Sequence, residues 1–340
     1  MHLPICLALL AIATTPETAS QTAVATAQVA LVSRASEFAG ERLNISFFPP
    51  TESQGAALLA ATQARIERVL ALLSDEDPNS ELSRVNRNAG KPTVVLSPDA
   101  FAWLARAAQL GSLSGGLFSM TAESLTRAWD YRTTPQAADV ARLKERLTQA
   151  DDRKLALNVD AHSATLTDPN CSLSLGRLRA ALAVDEAITL LQQQGVRQAL
   201  VMVGSSVRAL GRKGDKPWWV GIQDPRALGY FAAVPLEDQA IATEGDYVRF
   251  VMRDSVRLTD LVHPGSGSLE ALCRSATVIA ADAGTAYVLA RTLAVAGPEA
   301  GPPLVSAVQP TGYVLVDAAN AVTVSAELNR RVRVVRPPSQ

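Results

Sequence analysis

Cys171-Ser-Leu-Ser-Leu-Gly-Arg-Leu-Arg-Ala-Ala-Leu-Ala-Val-Asp185 is the stretch on which the reading of this chain turns. Ser172 to Leu175 has the pattern of a short strand that stops at Gly176, and a helical pattern follows it to Gln194. A glycine between a strand and a helix N-terminus suits a phosphate-bearing ligand, because free N–H groups and the positive end of the helix dipole face the turn. Such a site ordinarily adds a carboxylate, for metal or ligand, and a lysine for charge. Here Ser174 precedes the glycine, and Arg177 and Arg179 follow it. The same residues also describe an ordinary strand, turn and helix with a solvated arginine pair.

Working outward, helices are expected over Ser53 to Leu73, where Leu58, Leu59, Ile66, Val69, Leu70 and Leu73 share a face, over Pro98 to Leu110 and over Ala137 to Leu147. Beyond residue 150 strands dominate: Lys154 to Val159, Ala164 to Thr167, Gln198 to Val203, Val207 to Leu210, Trp218 to Ile222, Gln239 to Thr243, Tyr247 to Met252 and Ala276 to Ala280. Short turns between them predict largely antiparallel pairing. A further helix is expected over Ala283 to Ala296, with Asp282 as its N-cap. Leu304 to Val308, Tyr313 to Val316 and Val322 to Val324 read as edge strands. The mixture is α+β, and a regular βαβ series of the Rossmann kind is not supported.

The chain has 340 residues, enough for a sizeable core. Lysine and arginine number 32 against 33 acids, a net charge of −1, which gives no reason to expect nucleic acid as a partner. Leu3 to Ala13 is an apolar run too short to span a bilayer, and no integral membrane segment is expected. With the small residues after it, this run makes residues 1–27 a signal peptide or disordered leader, and places the protein in an exported, periplasmic setting, or in the cytoplasm if the leader reading fails. Cys171 and Cys273 could form a disulfide or be buried thiols; three histidines and three cysteines show no zinc spacing.

Several motifs in order resemble the ApbE family, the FAD:protein FMN transferases. Asp77-Pro-Asn-Ser-Glu-Leu-Ser-Arg-Val-Asn86 looks like the family's Asp-Pro-x-Ser-Glu-Leu-Ser-Arg-x-Asn loop. Gly116-Leu-Phe118, with Thr121 and Leu125, resembles Gly-x-Phe-Asp-x-Thr-x-Gly-x-Leu, and Leu173 to Asp185 resembles Leu-Asp-Leu-Gly-Gly-Ile-Ala-Lys-Gly-Tyr-Ala-Val-Asp. Ala199 to Gly211 is similar to the Asn-Ala-Gly-Gly-Asp strand, and Pro217 to Pro225 is close to the family form. Ala242 to Arg249 resembles Ala-Thr-Ser-Gly-Asp-Tyr-x-Arg, and Asp260 to Gly267 resembles His-Ile-Ile-Asp-Pro-Arg-Thr-Gly. The resemblance runs from Phe38 to Gly301. It implies a single ApbE-like α+β domain over residues 35–335, with largely antiparallel mixed sheets and packed helices.

It also implies a reaction: the FMN half of FAD is transferred to a threonine of a target protein, AMP is released, and Mg²⁺ sits at the diphosphate. Carried over residue by residue, FAD contacts fall on Glu76, Leu117, Phe118, Ser119, Ser174, Arg177, Ala180, Gly204, Leu261, Val262 and Arg291. Several are departures from the family. Ser174 stands where the family has Asp, Arg177 where it has Gly, Ala180 where it has Lys, and Ser119 where it has Asp. Asp260 replaces the His of His-Ile-Ile-Asp, and His263 its Asp. The metal positions become Arg177, Tyr287 and Arg291, with Asp282 and Thr285 as a gapped alternative. A tyrosine and arginines do not supply the hard oxygens Mg²⁺ needs, so no metal is expected, although arginine forks suit phosphate oxygens. Two functions remain open: a transferase, or a non-catalytic FAD- or protein-binding relative in which Arg177 and Arg291 replace the metal. Of the other candidates, Glu244 and Asp246 read as solvated or capping, Glu81 and Arg84 as a local ion pair, and Trp218 and Trp219 as one core and one rim residue.

Overall fold

The computed structural model describes residues 29–127, 137–147, 149–254 and 256–339. The expected leader at 1–27 lies outside them. In chain order the elements are β1 (Val32–Phe38), β2 (Glu41–Phe48), α1 (Gly55–Leu72), α2 (Glu81–Arg87), β3 (Val94–Val95), α3 (Pro98–Ser112), α4 (Met120–Arg127), α5 (Ala137–Leu147), β4 (Leu155–Asn158), β5 (Ser163–Leu166) and α6 (Leu178–Gln193). There follow β6 (Gln198–Val203), β7 (Ser206–Leu210), β8 (Trp218–Gln223), β9 (Tyr230–Leu236), β10 (Ala240–Gly245), β11 (Phe250–Arg253), β12 (Val256–His263), β13 (Ser268–Glu270), β14 (Cys273–Ala280), α7 (Ala283–Ser306), β15 (Gly312–Asp317), β16 (Val322–Val324) and β17 (Arg333–Val334).

The central sheet has the order β1-β2-β6-β7-β10-β14-β15-β16, and all its pairings are antiparallel. Alternation along its strands serves two cores. In β10, Ala240 and Ala242 join the helix-side cluster with Ala183 of α6 and Tyr287 of α7, while Ile241 joins the opposite cluster with Trp218, Val220 and Ile222 of β8. The small sheet β17-β9-β8 therefore covers one face of the central sheet, and α6 and α7 cover the other. A third sheet, β11-β12-β13, packs with α4 and α5 through Ala122, Leu143, Leu147, Val251, Leu258 and Val262.

Helices stand close to where periodicity places them, and the residues 137–147 reading coincides with α5. Four expectations need correction. Ser172 to Leu175 forms no strand: Asn86 accepts from Leu173 N (2.8 Å) and donates to Leu173 O (2.9 Å), and Met120 O takes Ser174 N (2.9 Å), so the backbone is satisfied without a strand partner. Leu304 to Val308 is helix and turn instead of an edge strand, because α7 breaks at Gly297 (φ 80°) and resumes with Pro298 in its first turn. Tyr247 to Arg249 is a turn leading into β11, which starts only at Phe250. The solvated arginine pair is also wrong, since Arg179 is buried and Arg177 nearly so. Strands β1, β3, β9, β12, β13 and β17 and helices α2 and α4 have no counterpart among the expected elements. Cys171 and Cys273 are both free thiols. No helix among the described residues is long and apolar enough to cross a membrane.

Candidate functional site

The loop from Leu173 to Arg177 is set by its neighbours. Asn86, at the end of the Ser-Glu-Leu-Ser-Arg-Val-Asn motif, clamps Leu173 on both backbone groups. That motif is α2: Ser80 caps it through Ser83 N (2.9 Å), and Glu81 accepts from Ser97 N (2.7 Å) and Ser97 Oγ (2.6 Å) while pairing with Arg84 at 3.3 Å. Ser174 is fully buried and its hydroxyl accepts from Gly176 N at 3.1 Å. Gly176 has φ 51°, and a Cβ there would lie 2.4 Å from a Glu123 carboxylate oxygen, so both backbone shape and space demand glycine.

Arg177 then projects from the start of α6 into a buried ionic cluster. Its Nη2 is 2.5 Å from Glu244 Oε2 and 3.9 Å from Asp260 Oδ1. Arg291, on α7 and 1% exposed, pairs with Glu123 of α4, donates from Nη2 to the Asp260 carbonyl at 2.5 Å, and brings Nη1 to 3.7 Å from the same Glu244 oxygen. Two guanidiniums thus face three carboxyl groups drawn from α4, β10 and β12. Strand alternation explains why Glu244 arrives here: with Ala242 it points to the helix side of β10, whereas Ile241 and Thr243 point the other way. Glu244 is fully buried, which corrects its reading as a solvated carboxylate; Asp246 is buried too and is held by Arg226 at 2.7 and 2.6 Å.

The electrostatics follow from burial. Desolvation pushes Glu123 up to about 7, against the pull of Arg291, and raises Glu244 against Arg177 and Arg291. Burial opposes the charge on Arg177 and Arg291, but their carboxylate neighbours outweigh it and hold both guanidiniums above their usual range. Burial raises the Tyr287 phenol well above its ordinary value. Tyr287 lies one turn before Arg291 on α7, and its ring meets that of Phe118 edge-on, with centroids 6.2 Å apart.

On the far side of β10 lies a cavity of about 330 Å³. Met202, Val207, Val220 and Ile241 supply apolar walls, and Arg42, Arg177, Arg249 and Glu41 supply charge. The Gly204-Ser205 turn between β6 and β7 closes one edge. Gly204 has φ 57°, and a Cβ there would come within 2.5 Å of Glu41, as expected of glycine in a two-residue hairpin. Arg177 is the residue common to the cavity and the ionic cluster.

The carried-over residues divide accordingly. Arg177 and Arg291 both approach Glu244, Arg177 and Gly204 line the cavity, and Ser174 is buried in the loop before them with its hydroxyl on Gly176 N. Ser119 caps α4 through Ala122 N (3.2 Å), and beside it Asp152 accepts from Ser119 Oγ (2.8 Å), Met120 N (2.9 Å) and Thr121 N (2.9 Å). A carboxylate is therefore present near the position where the family has Asp, but it comes from Asp152. Phe118 and Ala180 are core residues, Leu117 is partly buried against the cluster around α7, Leu261 and Val262 bury in two different clusters, and Glu76 is exposed. Sequence reasoning named none of Glu123, Asp152 and Arg42 as a site residue, and reached Arg249 only as the end of the Ala242 to Arg249 motif.

The donor set does not fit Mg²⁺. The implied metal positions present two guanidiniums and a protonated phenol, and a fixed cation there repels another. No three His, Cys, Asp or Glu side chains among the described residues stand close enough to hold a metal. Asp282 and Thr285 are committed to the start of α7, Asp282 accepting from Thr285 N (2.8 Å) and Thr285 Oγ1 (2.9 Å). Asp185, pushed up to about 6 by burial, accepts from Ala283 N and Gly284 N at 2.9 Å.

The fold and sequence have known relatives. The chain is 31% identical over 232 residues to an FAD:protein FMN transferase of Treponema pallidum, covering 61% of this chain and 64% of that protein. It is 28% identical over 273 residues to one from Vibrio cholerae, covering 77% and 80%. It spans only 44% of a relative of the same name from Rhodobacter capsulatus, at 25% identity over 229 residues and 66% of this chain. The ApbE protein of Thermotoga maritima superposes with a TM-score of 0.78 at 21% identity, over 87% of this chain and 97% of that one. The flavin transferase ApbE of Vibrio cholerae superposes with a TM-score of 0.76 at 22% identity, over 89% and 99%. The ApbE family model matches residues 39–315, and this chain belongs to the ApbE family.

Proposed function

We propose that this chain binds FAD and acts as an FAD:protein FMN transferase, passing the FMN half of FAD to a hydroxyl of a target protein and releasing AMP. The observation that carries the reading is the cavity beside the Gly204 turn, apolar on its walls and with Arg42, Arg177 and Arg249 on its surface. Planar aromatic groups suit such walls, and guanidinium forks suit phosphate oxygens. We place the ligand's diphosphate against Arg177, the one cluster residue that reaches the cavity. Arg291 is sealed away from it and acts through its neighbours. The protein works as a single domain over residues 35–335, and the apolar run at Leu3 to Ala13 directs it to export, with the periplasm as its compartment.

A second reading, binding without transfer, is favoured by the cluster itself. Phosphoryl chemistry depends on neutralising charge at the diphosphate, and here both guanidiniums already face carboxyl groups. Incubation with FAD and a flavinylation-site peptide, run in parallel in EDTA and with Mg²⁺, separates the two. Covalently flavinylated peptide together with AMP establishes transfer; bound FAD without either product establishes the second reading; absence of FAD binding overturns both.

A further inference from the structure

Arg291 touches three separate parts of the chain with one side chain: Glu123 on α4, Glu244 on β10 and the Asp260 carbonyl on β12. Gathering carboxylates from distant segments is what a bound dication does in a protein, and this guanidinium does it while 1% exposed. The cluster also keeps polar capacity of both kinds. Arg291 Nε and Nη1 and Arg177 Nε are shielded donors with no acceptor at hydrogen-bond distance, and Glu244 Oε1 and Asp260 Oδ1 are shielded acceptors with no donor at that distance. Mixed donors and acceptors suit water. They suit neither a dication, which the donors repel, nor a bare phosphate, which the acceptors repel.

We propose that the Arg291 guanidinium is this chain's own substitute for the divalent cation implied by its family, so that the site assembles and holds FAD with no metal. The holding of FAD rests on the binding reading above; the assembly of the site does not. Removing a cation from a buried cluster leaves uncompensated carboxylate charge, whereas removing one charge of each sign restores balance.

The test uses the full chain and needs no activity. Mn²⁺ is titrated into the wild type by electron paramagnetic resonance, and melting temperatures are read in EDTA and in Mg²⁺. No saturable Mn²⁺ binding and equal melting temperatures are expected. Stoichiometric Mn²⁺ binding that Mg²⁺ displaces, or a melting temperature that rises with Mg²⁺, overturns the proposal even if FAD binds. Arg291→Met is expected to lower the melting temperature, and Arg291→Met with Glu123→Gln to recover most of the loss. A double variant no more stable than Arg291→Met overturns the claim that Arg291 acts as the cation. If Arg291→Met does not fold, the wild-type titration and the folding of the double variant still decide.

Discussion

Arg291 and Glu123 form an ion pair almost wholly out of water, a geometry in which loss of one partner costs far more than the pair contributes; breaking such pairs typically costs about 3–5 kcal/mol. Glu123 also makes the cluster sensitive to pH. Burial raises its carboxyl from 4.5 to about 7, so the folded state holds that proton more tightly than the unfolded chain. Its contribution to stability is full below 4.5 and is lost as pH rises through about 7. Urea unfolding across that window should show the wild type losing stability that Glu123→Gln retains; parallel curves for the two proteins would sink this assignment. At this scale the sequence was half legible. Ser174, Arg177 and Arg291 stand out against the family motifs, but their partners do not, because Arg177 meets Glu244 across 67 residues and Arg291 meets Asp260 across 31. Only strand alternation in Ala242-Thr-Glu244 hinted that Glu244 points inward.

Among the elements, α7 shows how local signals succeed and fail within one helix. Asp282 was readable as its N-cap, and it takes Thr285 N at 2.8 Å. Replacing it with alanine should lower stability by about 1 kcal/mol, the usual cost of losing a cap, as measured by chemical denaturation. An unchanged midpoint would mean that Asp185, which already accepts from Ala283 N and Gly284 N, suffices alone. The far end of the same helix misled. Leu304 to Val308 is a short apolar run that periodicity cannot assign, and the Gly297 break followed by Pro298 conceals a resumed helix. Ser172 to Leu175 misled for the opposite reason: it has strand-like residues, but side-chain and loop partners use its backbone groups. Asn86 belongs to the most specific motif in the chain, and clamping that loop is a physical reason for the motif.

In the whole molecule, β10 divides two environments. The helix side holds the ionic cluster, the β8–β9 side holds the cavity, and Arg177 connects them at the mouth of α6. The α+β class and the antiparallel habit of the sheets were legible from turn spacing. The stacking of a small sheet on a large one was not, because it depends on which face of each strand is apolar and on strands such as β9 that lack a distinctive pattern. The central claim is that FAD is held by this arrangement without metal and through Arg177. A flavin fluorescence titration in EDTA, comparing the wild type with Arg177→Gln and checking fold by circular dichroism, tests it most directly. Saturable one-to-one binding by the wild type and clearly weaker binding by the folded variant are predicted. Wild-type binding that appears only with added Mg²⁺, or an Arg177→Gln affinity equal to that of the wild type, would contradict it.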